Sequence, residues 1–447
     1  MQNETDAGDA VPEHGLDEVF AIGGVRHSQW FPATVAHEDN SNSVSEGYLG
    51  QVCFALDGSA LAWTISSSQV LVVPWNADQG KVIAPDAPSA VQWPVVINTG
   101  LDTALVGSGA PTSMTLIRLS SFPTIRSCAS PDDGVQGLLW ASLLGRLLAA
   151  DLLLVTGHVN GVIRIWDAFT GRLLLKLIDH KSKITSLDFS PNGSLRLASG
   201  HVDYTIKLWD LMDDGNMYRT LRGHCGAVSC VTWSPNGRRL ASVGAGRQII
   251  IWNMEQQHRS GSSSEAACLR IPGGHHNNIV RCQFTPDGAL LATASHDTSV
   301  ILWDSRSGEK MGCLYHILPF PHMIYASGLN SCWIRDLALF SDGCHAATVS
   351  DDKKLRIWDL SQGNAPVAER LLPAPAKCCA VSPKGNTIVV GFGNGEVKFY
   401  RPCCLSVPSL RHLSRLAVRK FIVTPSQVGE LLVPSTLKPY LLYRDWL

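Results

Sequence analysis

Charge is what this 447-residue chain has least of. Asp, Glu, Lys and Arg make up 17% of it, and 37 basic against 38 acidic side chains leave a formal net charge of −1. With a sequence pI of about 6.9, whole-surface attraction to nucleic acid or to an anionic membrane is excluded as the basis of its function. Uninterrupted apolar runs are also missing. The most apolar segment, Gly137 to Val155, is broken by Arg146 and Asp151; a membrane span needs about 20 apolar residues in a row, so this segment reads as a buried strand. The 13 cysteines contain no Cys-x-x-Cys, and the adjacent pairs Cys378-Cys379 and Cys403-Cys404 suit neither a disulfide framework nor a metal site. Free thiols in a reducing compartment are the expectation, with no metal and no cofactor. The N-terminus lacks a basic start followed by an apolar run, which predicts no secretory signal and a cytoplasmic chain, with the nucleus also open to it. No Gly-Lys-Ser/Thr loop, His-Glu-x-x-His pair or Gly-x-Ser-x-Gly elbow occurs, so the local devices of nucleotide, zinc and serine chemistry are absent. Gly391-Phe392-Gly393-Asn394-Gly395 comes nearest to a phosphate loop, but a strand follows it where a dinucleotide site needs a helix, and it reads as a β-turn.

What the chain does have is repetition. The stretch Asp179 to Asp210 holds a short apolar run (Ile184 to Phe189), a Pro191-Asn192-Gly193 turn, a second run (Leu195 to Ala198), a turn around Asp203 and a third run (Thr205 to Trp209). The same order returns from Gly223-His224 through Pro235-Asn236-Gly237 to Trp252, and from Gly274-His275 through Pro286-Asp287-Gly288 to Trp303. Weaker copies close at Trp166, at Trp358 (turn Ser341-Asp342-Gly343, with Ser331 where the His should be) and at Tyr400 after Pro383-Lys384-Gly385. A decayed first copy runs from Phe54 to Trp75.

Two of the good copies contain His, Ser or Thr, Asp and Trp: His180, Ser199, Asp203 and Trp209 in one, His275, Thr293, Asp297 and Trp303 in the other. A His/Ser/Asp set invites a hydrolase reading, in which His activates Ser and Asp orients His. Repetition argues against it, because an active site is built once. Two intervals of 43 residues (Trp166 to Trp209, Trp209 to Trp252), with Gly-His at the start and Trp-Asp at the end, resemble the WD-repeat family, whose repeats are the four-stranded blades of a β-propeller. The resemblance implies an all-β propeller of seven blades, the first two degenerate. It also makes the His, Ser/Thr, Asp and Trp set a buried hydrogen-bonded tetrad that ties a blade's loop to its strands. Gly246 stands at the Asp position of one copy, and Asn160 and Asn394 at two others. These blades are expected to be locally weaker.

The propeller is expected over 46–402. Before it, residues 1–45 form a tail whose first 25 residues carry six acids and no Lys or Arg, a composition that suits a solvated, disordered segment. Between Trp75 and Trp166 lie 91 residues, twice the period. The Pro- and Ser-containing stretches Pro85 to Pro94 and Gly107 to Pro131 predict a long surface loop between strands of the second blade. Shorter insertions hold Arg259 to Ser264 and Pro319 to Asn330. Second turns converge at one rim of a propeller, so His201, Arg247, His296 and Asp351 are the candidate contacts to a target protein.

After Tyr400 the period-two pattern stops. Leu410, Leu413 and Ala417, with Val418 beside them, share one side of a helix opened by Ser409, while Arg411, Arg415 and Arg419 share another. Ser409-Leu410-x-x-x-Ser414-x-x-x-Val418 looks like the elongin-binding half of a SOCS box, in which a small residue and Leu are followed by Cys four places after the Leu and an aliphatic residue four later. Leu431-Leu432-Val433-Pro434 is similar to the cullin-contacting half, whose usual pattern is Leu-Pro-hydrophobic-Pro, and Leu437 to Tyr443 fits its last helix. Ser414 replaces the usual Cys, and Leu432 the first Pro. A propeller followed by a SOCS box at 409–447 resembles the WD-repeat and SOCS-box protein family. That resemblance implies a non-enzymatic, substrate-recognition subunit of a cullin-RING ubiquitin ligase. Leu410 would be the anchor in elongin C, with Leu413, Ser414 and Val418 beside it; Leu431, Val433 and Pro434 would face a cullin of the cullin-five class with its RING protein. The rival is a propeller scaffold without ligase activity.

Overall fold

In the computed structural model the described residues are 16–19, 51–66, 69–82, 94–99, 111–119, 150–179, 182–255, 268–316, 332–361, 365–402, 410–419, 428, 431, 433–435 and 437–443. The Pro191-Asn192-Gly193 turn shows how a repeat becomes a sheet. Gly193 takes a positive φ of 76°, which glycine adopts without steric cost, and the Asn192 side chain accepts from Ser194 N (3.0 Å). The chain then reverses, and Ile184–Phe189 pairs antiparallel with Arg196–His201. Thr205–Asp210 and Asn216–Arg222 complete the sheet.

Seven such sheets follow one another, six of four strands and one of five. Blade 1 is built on Val52–Phe54, Ala60–Ser66 and Gln69–Asn76; blade 2 on Pro111–Arg118, Leu152–His158, Val162–Asp167 and Leu173–Ile178. Blade 3 is the sheet just described. Blades 4, 5 and 6 begin at the inner strands Val228–Trp233, Ile279–Phe284 and Ile334–Leu339, and blade 7 at Ala376–Val381. The second and third strands of a blade are buried on both faces by its neighbours, so they read as continuous apolar runs: every residue of Leu290–Ser295 is buried.

Seven apolar clusters fill the seven seams between blades. Every closing aromatic (Trp75, Trp166, Trp209, Trp252, Trp303, Trp358, Tyr400) lies in the seam toward the preceding blade. Polar groups stitch the inner strands together. Asp188 of blade 3 accepts from Trp233 N of blade 4 (2.7 Å), Gln283 of blade 5 from Leu339 N of blade 6 (2.9 Å), and Asp336 of blade 6 from Cys379 N of blade 7 (2.9 Å).

The second blade corrects one expectation. Pro111–Arg118, placed by composition inside a surface loop, is the inner strand of blade 2, and Val95–Asn98 pairs with the third strand of blade 1. The first expected tail segment also changes role: Leu16–Val19 pairs antiparallel with Val397–Pro402 as the outer strand of blade 7, so the two ends of the propeller are joined by hydrogen bonds. Of the loop expectations, Pro85 to Trp93 and 120–149, with Arg259 to Ser264 and Pro319 to Asn330, lie outside the described residues.

The tetrad is complete in blade 5, where His275 meets Asp297 (2.9 Å) and Thr293 (2.8 Å), and Trp303 Nε1 donates to Thr293 (2.8 Å). In blade 3, Trp209 Nε1 donates to Ser199 (2.9 Å), while the Asp203 carboxylate accepts from Thr205 N (3.0 Å) and Thr205 Oγ1 (2.6 Å). His180 lies outside the described residues; the imidazole found at Ser199 is that of His201, at 3.0 Å. Blade 2 does the same with His158 at Thr156 (3.0 Å). In blade 6 the imidazole at Thr348 belongs to His316 (3.1 Å), which also stacks on Trp358. The expected place at Ser331 lies outside the described residues.

Candidate functional site

The inner strands enclose a cavity of about 440 Å³ whose wall includes Asp188, Arg281 and Gln283. Its charged groups are engaged with the framework. Arg281 Nε stands 3.2 Å from Asp336, and burial pushes the Asp188 carboxyl up to about 7, against the N–H of Trp233 that pulls it down. Among the described residues no group of three or more His, Cys, Asp and Glu is placed to hold a metal ion, and no helix is long and apolar enough to cross a membrane. The ten described cysteines are free thiols.

At the rim formed by the second turns, two of the four candidate residues come together. His296 stacks on Trp333 with ring centroids 4.7 Å apart and 13° between planes, and the Arg335 guanidinium lies 5.5 Å from the same indole. Arg335 in turn forms a two-pronged ion pair with Asp351 (2.7 and 2.6 Å). Burial, and then the charge of Arg335, lower the His296 imidazole to about 4, so it is neutral and free to stack. Trp333 and Arg335 were not foreseen; the signal was a Trp-x-Arg at the entrance to an inner strand. Arg247 sits apart. It is exposed, holds a left-handed φ of 57°, and borders a separate cavity of about 500 Å³ with Arg270 and Pro272. His201 is corrected: it is fully buried against Ser199 and has no surface to offer a target.

At the C-terminus, helix α1 (Leu410–Arg419) and the short helix α2 (Leu437–Leu441) pack together. The amphipathic pattern is inverted relative to an ordinary surface helix. His412 and Arg415 are buried at 4% and 1% exposure, whereas Leu413 is 46% and Val418 37% exposed, with Ser414 and Ala417 exposed beside them. The inversion is possible because the inward face meets polar and π partners. His412 Nε2 donates to the Asp342 carbonyl of blade 6 (2.7 Å), and the Arg415 guanidinium lies over the rings of Tyr440 (4.4 Å) and Tyr443 (3.8 Å). Leu437 of α2, 36% exposed, adds to the apolar surface left outside. The Leu410 side chain and Ser409 lie outside the described residues. Leu431 and Val433 are half-buried and pack on Val428 and Leu441, while Pro434 is exposed and its carbonyl accepts from Leu437 N (2.9 Å). Leu432 is outside the described residues.

Comparison with known proteins agrees with both halves of this architecture. The family of the WD domain, G-beta repeat matches residues 171–210, 215–253, 266–304 and 324–359, and the SOCS box family matches 406–442. In fold, the chain is similar to a chain of the crystal structure of the Mitotic Checkpoint Complex, with a TM-score of 0.51 at 17% identity, over 90% of this chain and 99% of that one. WD repeat and SOCS box-containing protein 1 of Takifugu rubripes is 36% identical over 419 residues, covering 88% of this chain and 90% of its own. The human protein of the same name is 41% identical over 297 residues, 66% of each chain. A seven-bladed propeller, a helical module at its C-terminus and a 36% identical relative matched over 90% of its length place this chain in the family of WD repeat and SOCS box-containing proteins.

Proposed function

We propose that this chain is the substrate-recognition subunit of an elongin B/C–cullin–RING ubiquitin ligase: α1 docks on elongin C, the segment around Pro434 faces the cullin, and the propeller holds a target protein. The observation that carries the reading is the outward apolar face of α1. A helix that buries Arg415 and leaves Leu413 and Val418 in water presents a surface built to be covered. An amphipathic helix laid into a hydrophobic groove is a standard way to cover it. The chain makes no bond itself. It contributes proximity, by holding a target's lysine near the ubiquitin-charged enzyme and so raising the effective concentration of the reactants. On the target side the His296–Trp333–Arg335–Asp351 cluster is the favoured contact, because a rigid aromatic flanked by a paired Arg is the composition of interface anchors. Its place of work is the cytoplasm, with the nucleus also open, in keeping with the free thiols.

Leu410→Ala is expected to weaken elongin B/C binding by about 2–4 kcal/mol, as truncation of an interface anchor does, and Val418→Asp to weaken it as well by setting a charge in an apolar contact. Calorimetric titration of purified elongin B/C checks both; undiminished affinity in the two variants overturns the assignment of this face. The scaffold reading draws support from Leu431 and Val433, which are partly committed to the module's own core. Co-purification with a cullin of the cullin-five class separates the readings, since a scaffold brings down elongin B/C without it.

A further inference from the structure

The face of α1 that is turned away from solvent does more than close a small core. Arg415 Nη2 stands 2.5 Å from His412 Nδ1, and Nη1 donates to the Tyr440 carbonyl (3.4 Å), while the guanidinium contacts both tyrosine rings. Because Arg can only donate, His412 Nδ1 must accept, which leaves the proton on Nε2, where it is given to the Asp342 carbonyl. Burial, and then the neighbouring Arg415 charge, hold this imidazole below its ordinary value against the opposing pull of that carbonyl, in keeping with the neutral form the geometry requires.

Tyr443, two residues past the end of α2, completes the mount. Its hydroxyl donates to Asp287 Oδ2 (2.6 Å) in the first turn of blade 5. The other oxygen of that carboxylate already shapes the turn, accepting from Thr285 Oγ1 (2.7 Å) and Ala289 N (3.1 Å). The Tyr443 ring is a member of the apolar cluster between blades 5 and 6, with Leu290, Leu339, Trp358 and Leu360. Its φ of 60° is a left-handed conformation that a bulky residue rarely keeps unless its surroundings impose it. In the first turn of blade 6, Gly343 touches α1, and a larger residue there would strain the backbone. It holds a φ of +68°, and an added Cβ would lie 3.4 Å from Leu416 of α1.

These contacts fall on the first turns of two adjacent blades. In an antiparallel blade the first and second turns lie at opposite ends of the strands, so the helices are fixed to the face opposite the rim that holds His296 and Asp351. We infer that Arg415 is a positioning residue. Together with His412, Tyr440 and Tyr443 it locks the C-terminal helices to blades 5 and 6, so that the outer face of α1 points in one fixed direction relative to the target rim. The inference rests on the proposed function only for its consequence, which is that the zone of lysines reached by the ligase is set by this mount and not by a flexible linker.

The test uses the full chain with purified elongin B/C. Arg415→Ala is expected to keep elongin capture, because the docking face is on the other side of α1, while amide exchange at 287–290 and 341–345 speeds up about tenfold as the mount opens locally. In a reconstituted reaction with cullin, RING protein, E1, E2 and ubiquitin, self-ubiquitination should spread from a restricted set of the propeller's lysines to a broader one, read by mass spectrometry. Arg415→Lys, which keeps the charge over the rings but loses the fork, should restore part of the restriction. Tyr443→Phe, which keeps the ring and loses the bond to Asp287, should shift exchange in the same direction by less, and it decides the matter if Arg415→Ala is insoluble. Unchanged exchange and an unchanged lysine pattern in the soluble variants overturn the inference. If the unaltered chain captures no elongin, the proposed function fails, and the exchange measurement still decides the mount.

Discussion

Blades 5 and 4 solve one packing problem with different polar residues. In blade 5, the Asp297 carboxylate accepts from His275 Nδ1 (2.9 Å) and, through the same oxygen, from His276 N (2.8 Å). One carboxylate therefore orients the imidazole and also ties down the loop that carries it. In blade 4, His224 Nε2 meets Ser242 (2.7 Å), and Trp252 Nε1 donates to the same hydroxyl (2.8 Å), but Gly246 occupies the acidic position. His224 Nδ1 is buried with no hydrogen-bond partner among the described residues. Gln248, two places on, takes over half of the work: its Oε1 accepts from Cys225 N (2.9 Å), the amide that corresponds to His276 N. The comparison separates two roles that the complete tetrad merges, loop anchoring and imidazole orientation. Blade 4 keeps the first and lacks the second.

The largest expected effect comes from breaking blade 5. Asp297→Ala removes both bonds to the His275 loop along with those from Ser299 N (2.9 Å) and Ser299 Oγ (2.6 Å). No glutamine stands ready there, since Ser299 occupies the place of Gln248. Burial alone would raise the Asp297 carboxyl; the bond from His275 and the other donors outweigh it and bring the group to about 2, so the carboxylate is ionised and its hydrogen bonds are of the stronger, charge-assisted kind. A loss of about 2–3 kcal/mol is expected, measured as the shift of the urea midpoint. A loss no larger than an ordinary surface substitution would break the claim that Asp297 carries two roles.

What could be read from the sequence follows the range over which each feature is determined. The Pro-Asn-Gly and Pro-Asp-Gly turns and the closing aromatics are fixed locally, by a positive φ at glycine and by a large ring at a strand end, so their spacing revealed the blades. Pro111–Arg118 could not be recognised in that way. Its partner Leu152–His158 lies beyond a long insertion, and the strand has neither a Gly-His start nor a turn next to it. His316 escaped for a similar reason, since it reaches Thr348 from a position 15 residues ahead of the one the repeat assigns. His201 was legible and misread. It stands two places after Ser199 on the same strand, and a period of two puts both side chains on the same, buried face. In the C-terminal module the helix and its two rows were plain, but which row faced inward was not. That depended on Tyr440 of α2 and Tyr443 just past it offering π faces to Arg415, contacts that no single-helix pattern contains.

A smaller effect of opposite sign should come from repairing blade 4. A Cβ added at Gly246 would meet nothing closer than Gly226 N at 3.4 Å, so a side chain fits, and the position faces the backbone of Cys225 next to His224. Gly246→Asp is expected to stabilise the chain by about 1 kcal/mol, the net worth of one new buried hydrogen bond. The gain stays below the loss at Asp297 because Gln248 already holds Cys225 N, and its Oε1 lies 3.7 Å from the new Cβ. A structure of the variant with the new carboxylate turned to solvent, together with an unchanged urea midpoint, would show that the two blades differ by more than one residue.

The smallest effect is a difference in pH dependence, and it isolates the orientation role. Burial, and then the charge of Arg270, lower His224 to about 4 from the ordinary value of 6.5. The folded value lies below the unfolded one, so the native state binds fewer protons. The stability that rests on neutral His224 is whole above about pH 6.5 and declines as the pH falls from there toward 4. For one such group the decline between pH 7 and 6 comes to about 0.5–1 kcal/mol. His296 and His316, lowered to about 4 and about 3 by burial first and neighbouring arginines second, add the same kind of slope, but they do so equally in both proteins compared. Subtracting the urea-derived stability of the unaltered chain from that of Gly246→Asp, pH by pH, therefore leaves the His224 contribution. With a carboxylate at Nδ1 the imidazolium is no longer disfavoured, so the advantage of Gly246→Asp should widen as the pH drops from 7 to 6. An advantage that stays constant over that interval would mean that the buried Nδ1 of blade 4 does not govern its titration, and that Gly246 marks a difference in loop anchoring alone.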